Sequence, residues 1–99
     1  MKEIACHIRV TGRVQGVAYR AWAAAASAEL GLRGWVRNRG DGSVEALVAG
    51  KEDAVKALVL AMGEGPGAAR VTDVWTAPAD PAEVAPGFEI RPTRGAEQA

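Results

Sequence analysis

Apolar and polar residues alternate from the start of the chain: Ile4, Cys6, Ile8 and Val10 are interleaved with Ala5, His7, Arg9 and Thr11. A period of two carried largely by β-branched residues predicts a half-buried strand. Over residues 20–30, RAWAAAASAEL, the period becomes helical, with Tyr19, Trp22, Ala23, Ala26 and Leu30 on one face. Gly31 followed by apolar Leu32 predicts a left-handed helix stop. Residues 33–39 and 43–49 flank Gly40-Asp41-Gly42, and an Asp-Gly pair accepts the positive backbone angles of a tight turn, so this stretch predicts a β-hairpin. Val55, Leu58, Val59 and Met62 then recur at helical spacing until Gly63-Glu64-Gly65-Pro66 ends the run. RVTDVWTA, residues 70–77, predicts a fourth strand. Residues 78–87, with three of the five prolines, predict a connecting loop, residues 88–92 a short last strand, and residues 93–99 a flexible tail.

The resulting order is β-α-β-β-α-β with a short final strand, in a single domain over residues 1–92. Two helices cannot cover both faces of the sheet in so short a chain, so both are expected on one face, against Ile4, Cys6, Ile8 and Val10. The expected fold is α+β: a ferredoxin-like α/β sandwich with an antiparallel sheet. The first strand is expected beside the hairpin's first strand, which brings Asn38 near the loop that follows strand one. Such a fold hosts many functions and does not choose among them.

Composition narrows the classes. No run of about 18 apolar residues is present, which argues against a membrane partner. The N-terminal MKEIACHIRV lacks the continuous apolar stretch of a signal peptide, so a cytoplasmic location is expected. Cys6 is the only cysteine and reads as a small core residue; His7 is the only histidine and reads as a solvent-side strand residue. No metal site and no other cofactor are expected. Net charge is zero, against a general polyanion binder, but residues 1–39 carry +5 and the remainder −5. Either this averages out on folding or it draws an anion to the basic part.

The basic part contains GRVQGVAYR, residues 12–20, at the exit of the first strand and the entry of the first helix. A helix start presents unpaired N–H groups and a partial positive charge. Gly12 and Gly16 let the backbone curl those groups inward, and Arg20 can aim a planar guanidinium at two phosphate oxygens. The same residues also read as a Gly-rich turn followed by a surface arginine. There is no Lys-Ser or Lys-Thr pair, so this is not a nucleotide P-loop.

VTGRVQGVAYR (10–20), GLRGWVRNRGDGSVEALVAG (31–50) and GPGAARVTDV (65–74) together resemble the acylphosphatase family over nearly the whole chain. The resemblance implies a phosphate cradle in the 12–19 loop, formed by Gln15, Gly16, Val17, Ala18 and Tyr19, with catalytic roles for Arg20 and Asn38. It implies metal-independent hydrolysis of acyl phosphates to carboxylate and phosphate. The substrate is then a small-molecule acyl phosphate and the product inorganic phosphate; separately, a monomer is expected, although an exposed sheet face and edge leave room for dimerisation. Two positions depart from the family's commoner pattern: Arg39 stands where threonine often follows the asparagine, and Ala18-Tyr19 where Gly or Cys precedes Phe. Arg39 is expected to be solvated or to add potential near the site. The Tyr19 hydroxyl must be hydrated or paired. Gln15 either pins the loop through its amide or faces solvent.

Trp22, Trp35 and Trp75 read as packing residues. An RNA-recognition motif shares this element order, but IACHIRVT and SVEALVA carry no aromatic residue, so no nucleic-acid partner is expected. The remaining alternative is a non-catalytic anion-binding or regulatory ferredoxin-like module. The chain opens on Met1 and has no zinc-type cysteine pairs, so a free-standing enzyme is expected rather than a domain of a larger hydrogenase-maturation protein.

Overall fold

The computed structural model describes residues 2–95. Its elements are β1 (Glu3–Arg13), α1 (Tyr19–Glu29), β2 (Arg33–Asn38), β3 (Val44–Lys51), α2 (Glu52–Glu64), β4 (Arg70–Ala79) and β5 (Phe88–Ile90). They form one sheet in the order β4-β1-β3-β2-β5. Both helices pack on one face, as the pattern requires. Ile8, Val10, Val36, Val44 and Val48 of the sheet meet Tyr19 and Ala23 of α1 and Val55, Leu58 and Met62 of α2, all buried, while Ile4 and Cys6 pack at the margin.

α1 ends where its sequence says. Gly31 is left-handed (φ 72), its N–H donates to Ala28 O, and Leu32 N–H donates to Ser27 O, the paired bonds of a Schellman stop. The hairpin forms between β2 and β3, with Ser43 N–H and Oγ both donating to Asp41 Oδ1 in the turn.

Strand order corrects one expectation. β1 does not pair with β2; each pairs antiparallel with β3, which lies between them. β1 and β2 are therefore parallel to each other, joined by α1 in a crossover that leaves one strand's width open, and the hairpin returns β3 into that gap. The sheet is also not wholly antiparallel: β5 pairs parallel to β2, with Ile90 opposite Val36.

Two further boundaries differ. Pro78 and Ala79 continue β4 instead of opening the loop. β4 is an edge strand, paired on one side only, which tolerates a proline. Of the segment expected to be a flexible tail, Arg94 pairs with the end of β2: its N–H donates to Asn38 O and its carbonyl accepts from Gly40 N–H. Residues 96–99 lie outside the described residues.

The sheet face away from the helices is partly clothed. At one end Ala5 and Ala49 are covered by Val84 of the 78–87 segment. Elsewhere side chains pack laterally, with Arg37 and Arg91 both over the Trp35 ring (4.5 and 4.9 Å to its centroid) and Arg9 over Trp75 (5.7 Å). Glu45, on the central strand, is 2% exposed. Its carboxylate accepts from His7 Nε2 (2.8 Å), Arg37 Nε (2.6 Å) and Arg39 Nη1 (3.1 Å). Burial pushes this carboxyl up, but the His7 and Arg37 hydrogen bonds and the Arg37 and Arg39 charges outweigh it and hold it below its ordinary 4.5.

Near the end of β1 and in the loop to α1 the backbone adopts positive φ at Gly12 (120°), Gly16 (74°) and Ala18 (61°). Gly12 follows a register shift against β4, and a Cβ there would lie 2.1 Å from Arg70 O. Ala18, at the N-cap of α1, is the only non-glycine with positive φ among the described residues. Holding alanine in the left-handed region costs about 1 kcal/mol.

Two outcomes follow for urea unfolding. Ala18→Gly relieves that strain and raises stability by about 0.5 kcal/mol after the added chain entropy of glycine; a fall of that size would contradict the strain. A carboxyl whose folded pKa lies below its unfolded value contributes stability above about 4.5 and loses it as pH falls through the folded value. Glu45→Gln should therefore cost about 2–3 kcal/mol at pH 7, and progressively less as pH falls below about 4.5 and the wild type loses the same contribution. Parallel pH profiles for the two proteins would contradict the network.

Candidate functional site

Because β1 and β2 run parallel, their C-terminal ends lie at the same end of the sheet, and the loop leaving β1 crosses toward the start of α1 there. A cavity of about 250 Å³ opens at this junction, lined by Val14, Gly16, Ala18, Tyr19, Arg20, Ala21, Asn38 and Ile90. A larger groove of about 700 Å³ runs between α2 and the β4 edge, walled mainly by aliphatic side chains such as Ile4, Val55, Val59 and Leu60. The smaller cavity alone combines a guanidinium, a buried amide and a helix start.

The helix start is open. Ala18 offers no capping side chain, and the first turn of α1 carries no acidic residue. The first N–H groups of α1 thus keep their donor capacity and the positive end of the helix dipole is not neutralised. Arg20, in that first turn, is partly buried and has no hydrogen bond or ion pair among the described residues. Asn38 closes the other side. It ends β2 on the helix-facing side, is 9% exposed, and its Oδ1 is buried without a hydrogen-bond partner. A buried amide oxygen left unpaired costs about 1–3 kcal/mol, so a ligand or water that supplies a donor is favoured there. Asn38 is also held from behind, since its carbonyl accepts from Arg94 N–H (2.9 Å).

Of the residues singled out in the loop, Gly16, Ala18, Tyr19 and Arg20 share the cavity with Asn38, whereas Gln15 and Val17 do not line it. Val17 packs against the core. The Gln15 amide donates to Arg39 O (2.8 Å) and Ser43 O (2.9 Å), so it pins the loop to the mouth of the hairpin that carries Asn38. Tyr19 is 1% exposed, and its hydroxyl donates to Met62 O (2.5 Å). Burial raises the phenol well above its ordinary 10. The hydroxyl therefore anchors α1 to α2 and does not reach for a ligand. Arg39 points to the opposite sheet face, into the Glu45 network. Sequence reasoning missed Val14, Ala21 and Ile90 in the cavity wall. Ile90 carried no signal, because its position depends on β5 pairing with β2.

The cavity has no carboxylate in its lining. Among the described residues no group of three His, Cys, Asp or Glu side chains is placed to hold a metal ion, and no helix is long and apolar enough to cross a membrane. What the site can do is hold an anion at the helix start, neutralise it with Arg20, and orient a polar molecule on Asn38.

Comparison with known proteins agrees with this geometry. The acylphosphatase family model matches residues 6–90. Acylphosphatase 2 of Ralstonia nicotianae is 55% identical over 86 residues, which cover 87% of this chain and 90% of that protein. The crystal structure of acylphosphatase from Bacillus subtilis superposes with a TM-score of 0.85 at 36% identity, covering 89% of this chain and 98% of the other. An acylphosphatase structure from Coxiella burnetii gives 0.84 at 34%, covering 90% and 93%. With the uncapped helix start, the free guanidinium and the buried amide all inside the matched region, the chain belongs to the acylphosphatase family.

Proposed function

We propose that this protein hydrolyses acyl phosphates to carboxylate and inorganic phosphate, with Arg20 and Asn38 as its catalytic residues and no metal in the reaction. The observation that carries the reading is the pairing of an unpartnered Arg20 with the orphaned, buried Oδ1 of Asn38 across one cavity at the start of α1.

Phosphoryl transfer asks a protein for positioning and for stabilisation of charge on three equatorial oxygens. The backbone N–H groups between Gly16 and Arg20 and the Arg20 guanidinium supply both. The Asn38 Oδ1 accepts a hydrogen bond from the attacking water and holds it in line with the P–O bond to the acyl group. The bond from water oxygen to phosphorus forms as the bond from phosphorus to the acyl oxygen breaks, and the electron pair leaves with the carboxylate. That group belongs to an acid of pKa about 4, so it departs without a general acid. Asn38 is neutral and takes no proton; both protons of the attacking water stay with the phosphate, which leaves as dihydrogen phosphate while the acyl oxygen leaves as carboxylate. A site without a histidine or carboxylate pair suits this leaving group. An alkyl phosphate ester, with a far more basic leaving oxygen, should turn over poorly.

Benzoyl phosphate hydrolysis in the presence of chelator tests the proposal. Arg20→Ala should lower kcat/KM by about 10³-fold and Asn38→Ala by about 10²- to 10³-fold, with urea midpoints near that of the wild type. Turnover that requires added metal, or that survives both substitutions, would overturn the assignment. Phosphate protection against unfolding without any turnover in the wild type would leave the anion-binding module instead.

A further inference from the structure

Three large apolar side chains are substantially exposed among the described residues: Leu60, Trp75 and Ile90. Leu60 lines the groove beside α2, and Trp75 lies under Arg9 on the open sheet face. Ile90 alone lines the cavity with Arg20 and Asn38, and it is 50% exposed.

Its placement is fixed by backbone, not by its own burial. β5 lies parallel to β2 with Ile90 opposite Val36, and Arg91 N–H donates to Val36 O (2.9 Å). Phe88, two residues earlier on the same side of the strand, packs against the core. Ile90 therefore points toward the helix side of the sheet, at the rim of the cavity one strand away from Asn38. The cavity is thus two-sided in chemistry. The loop, Arg20 and Asn38 form its polar part; Val14, Ala21 and Ile90 are apolar. Apart from Arg20 no charged group lines it, so a charged acyl moiety would find no partner of its own.

We propose that Ile90 is a specificity-determining residue: it walls the position of the acyl group and favours acyl phosphates with an apolar chain or ring over short ones. The proposal rests on the acyl-phosphate reading of this cavity. With the phosphoryl group at the helix start, the acyl group extends toward the rim, and a ring or chain lying on Ile90 removes apolar surface from water on both partners. A half-open wall of this kind discriminates at the low end of what a hydrophobic pocket achieves.

The readout is the ratio of kcat/KM for benzoyl phosphate to that for acetyl phosphate, in the wild type, Ile90→Ala and Ile90→Leu. Ile90→Ala should reduce the ratio about fivefold, mainly through KM for benzoyl phosphate, and Ile90→Leu should restore most of it. A general loss of structure would lower both substrates together and leave the ratio in place. The same variants are titrated calorimetrically with benzylphosphonate and methylphosphonate, which bind without turnover. An unchanged ratio in both experiments would overturn the role of Ile90. If the wild type hydrolyses neither substrate, the catalytic reading fails, and the phosphonate affinities still decide the wall: a benzyl preference that Ile90→Ala removes supports it, and equal preferences reject it.

Discussion

The site depends on one constraint of the sheet: β1 and β2 are parallel, with β3 filling the slot between them. A parallel pair linked by a helix must end at the same edge, so the loop leaving β1 and the last residue of β2 meet. That is what sets Asn38 across from Arg20, although 18 positions separate them and no side-chain bond joins them. The open start of α1 sits at the same edge because the crossover begins there. Gln15 then ties the loop to the hairpin mouth, and Arg94 braces Asn38 from the other side. The site is a product of topology, tightened by three local hydrogen bonds.

The two faces of β2 divide the chemistry. Val36 and Asn38 point toward the helices, one into the core and one into the cavity. Arg37 and Arg39 point away and are drawn to the buried carboxylate of Glu45. Their charge is consumed on the far face, leaving Arg20 as the cation that lines the cavity. The arginine that replaces the family's common threonine after Asn38 thus lies one pleat away from the site, on the other side of the sheet. Tyr19 works similarly: its ring and hydroxyl are spent on packing α1 against α2, while its backbone remains at the cavity.

Much of this was legible in the chain. The period-two run of Ile4 to Val10, the helical period of α1, Gly31 at its stop and Asp41-Gly42 in the hairpin are local signals, and each forms as its residues dictate. The loop and Arg20 were legible as an anion-site candidate, but the same residues read equally as a Gly-rich turn with a surface arginine, and it was the family resemblance that singled out Arg20 and added Asn38. What the chain did not disclose was non-local. The insertion of β3 between β1 and β2 is a matter of pairing partners, which one strand's pattern does not encode. Pro78 reads as a breaker until its strand is known to be an edge. Nothing in its own strand marks Glu45 for burial, yet it lies on the central strand with its carboxylate held by His7, Arg37 and Arg39. The backbone pairing of Arg94 and the reach of Ile90 into the cavity depend likewise on β5 docking beside β2, over three residues with little pattern of their own.

The most direct test of a phosphate cradle at the start of α1 is an amide chemical-shift titration of the isotopically labelled protein with inorganic phosphate. Saturable shifts confined to the backbone amides of residues 15–20 and the side-chain amide of Asn38 are expected, with the guanidinium of Arg20 slowed in exchange. Shifts centred instead on Arg9, Arg37 and Arg39 across the open sheet face, or no saturable shifts, would contradict it.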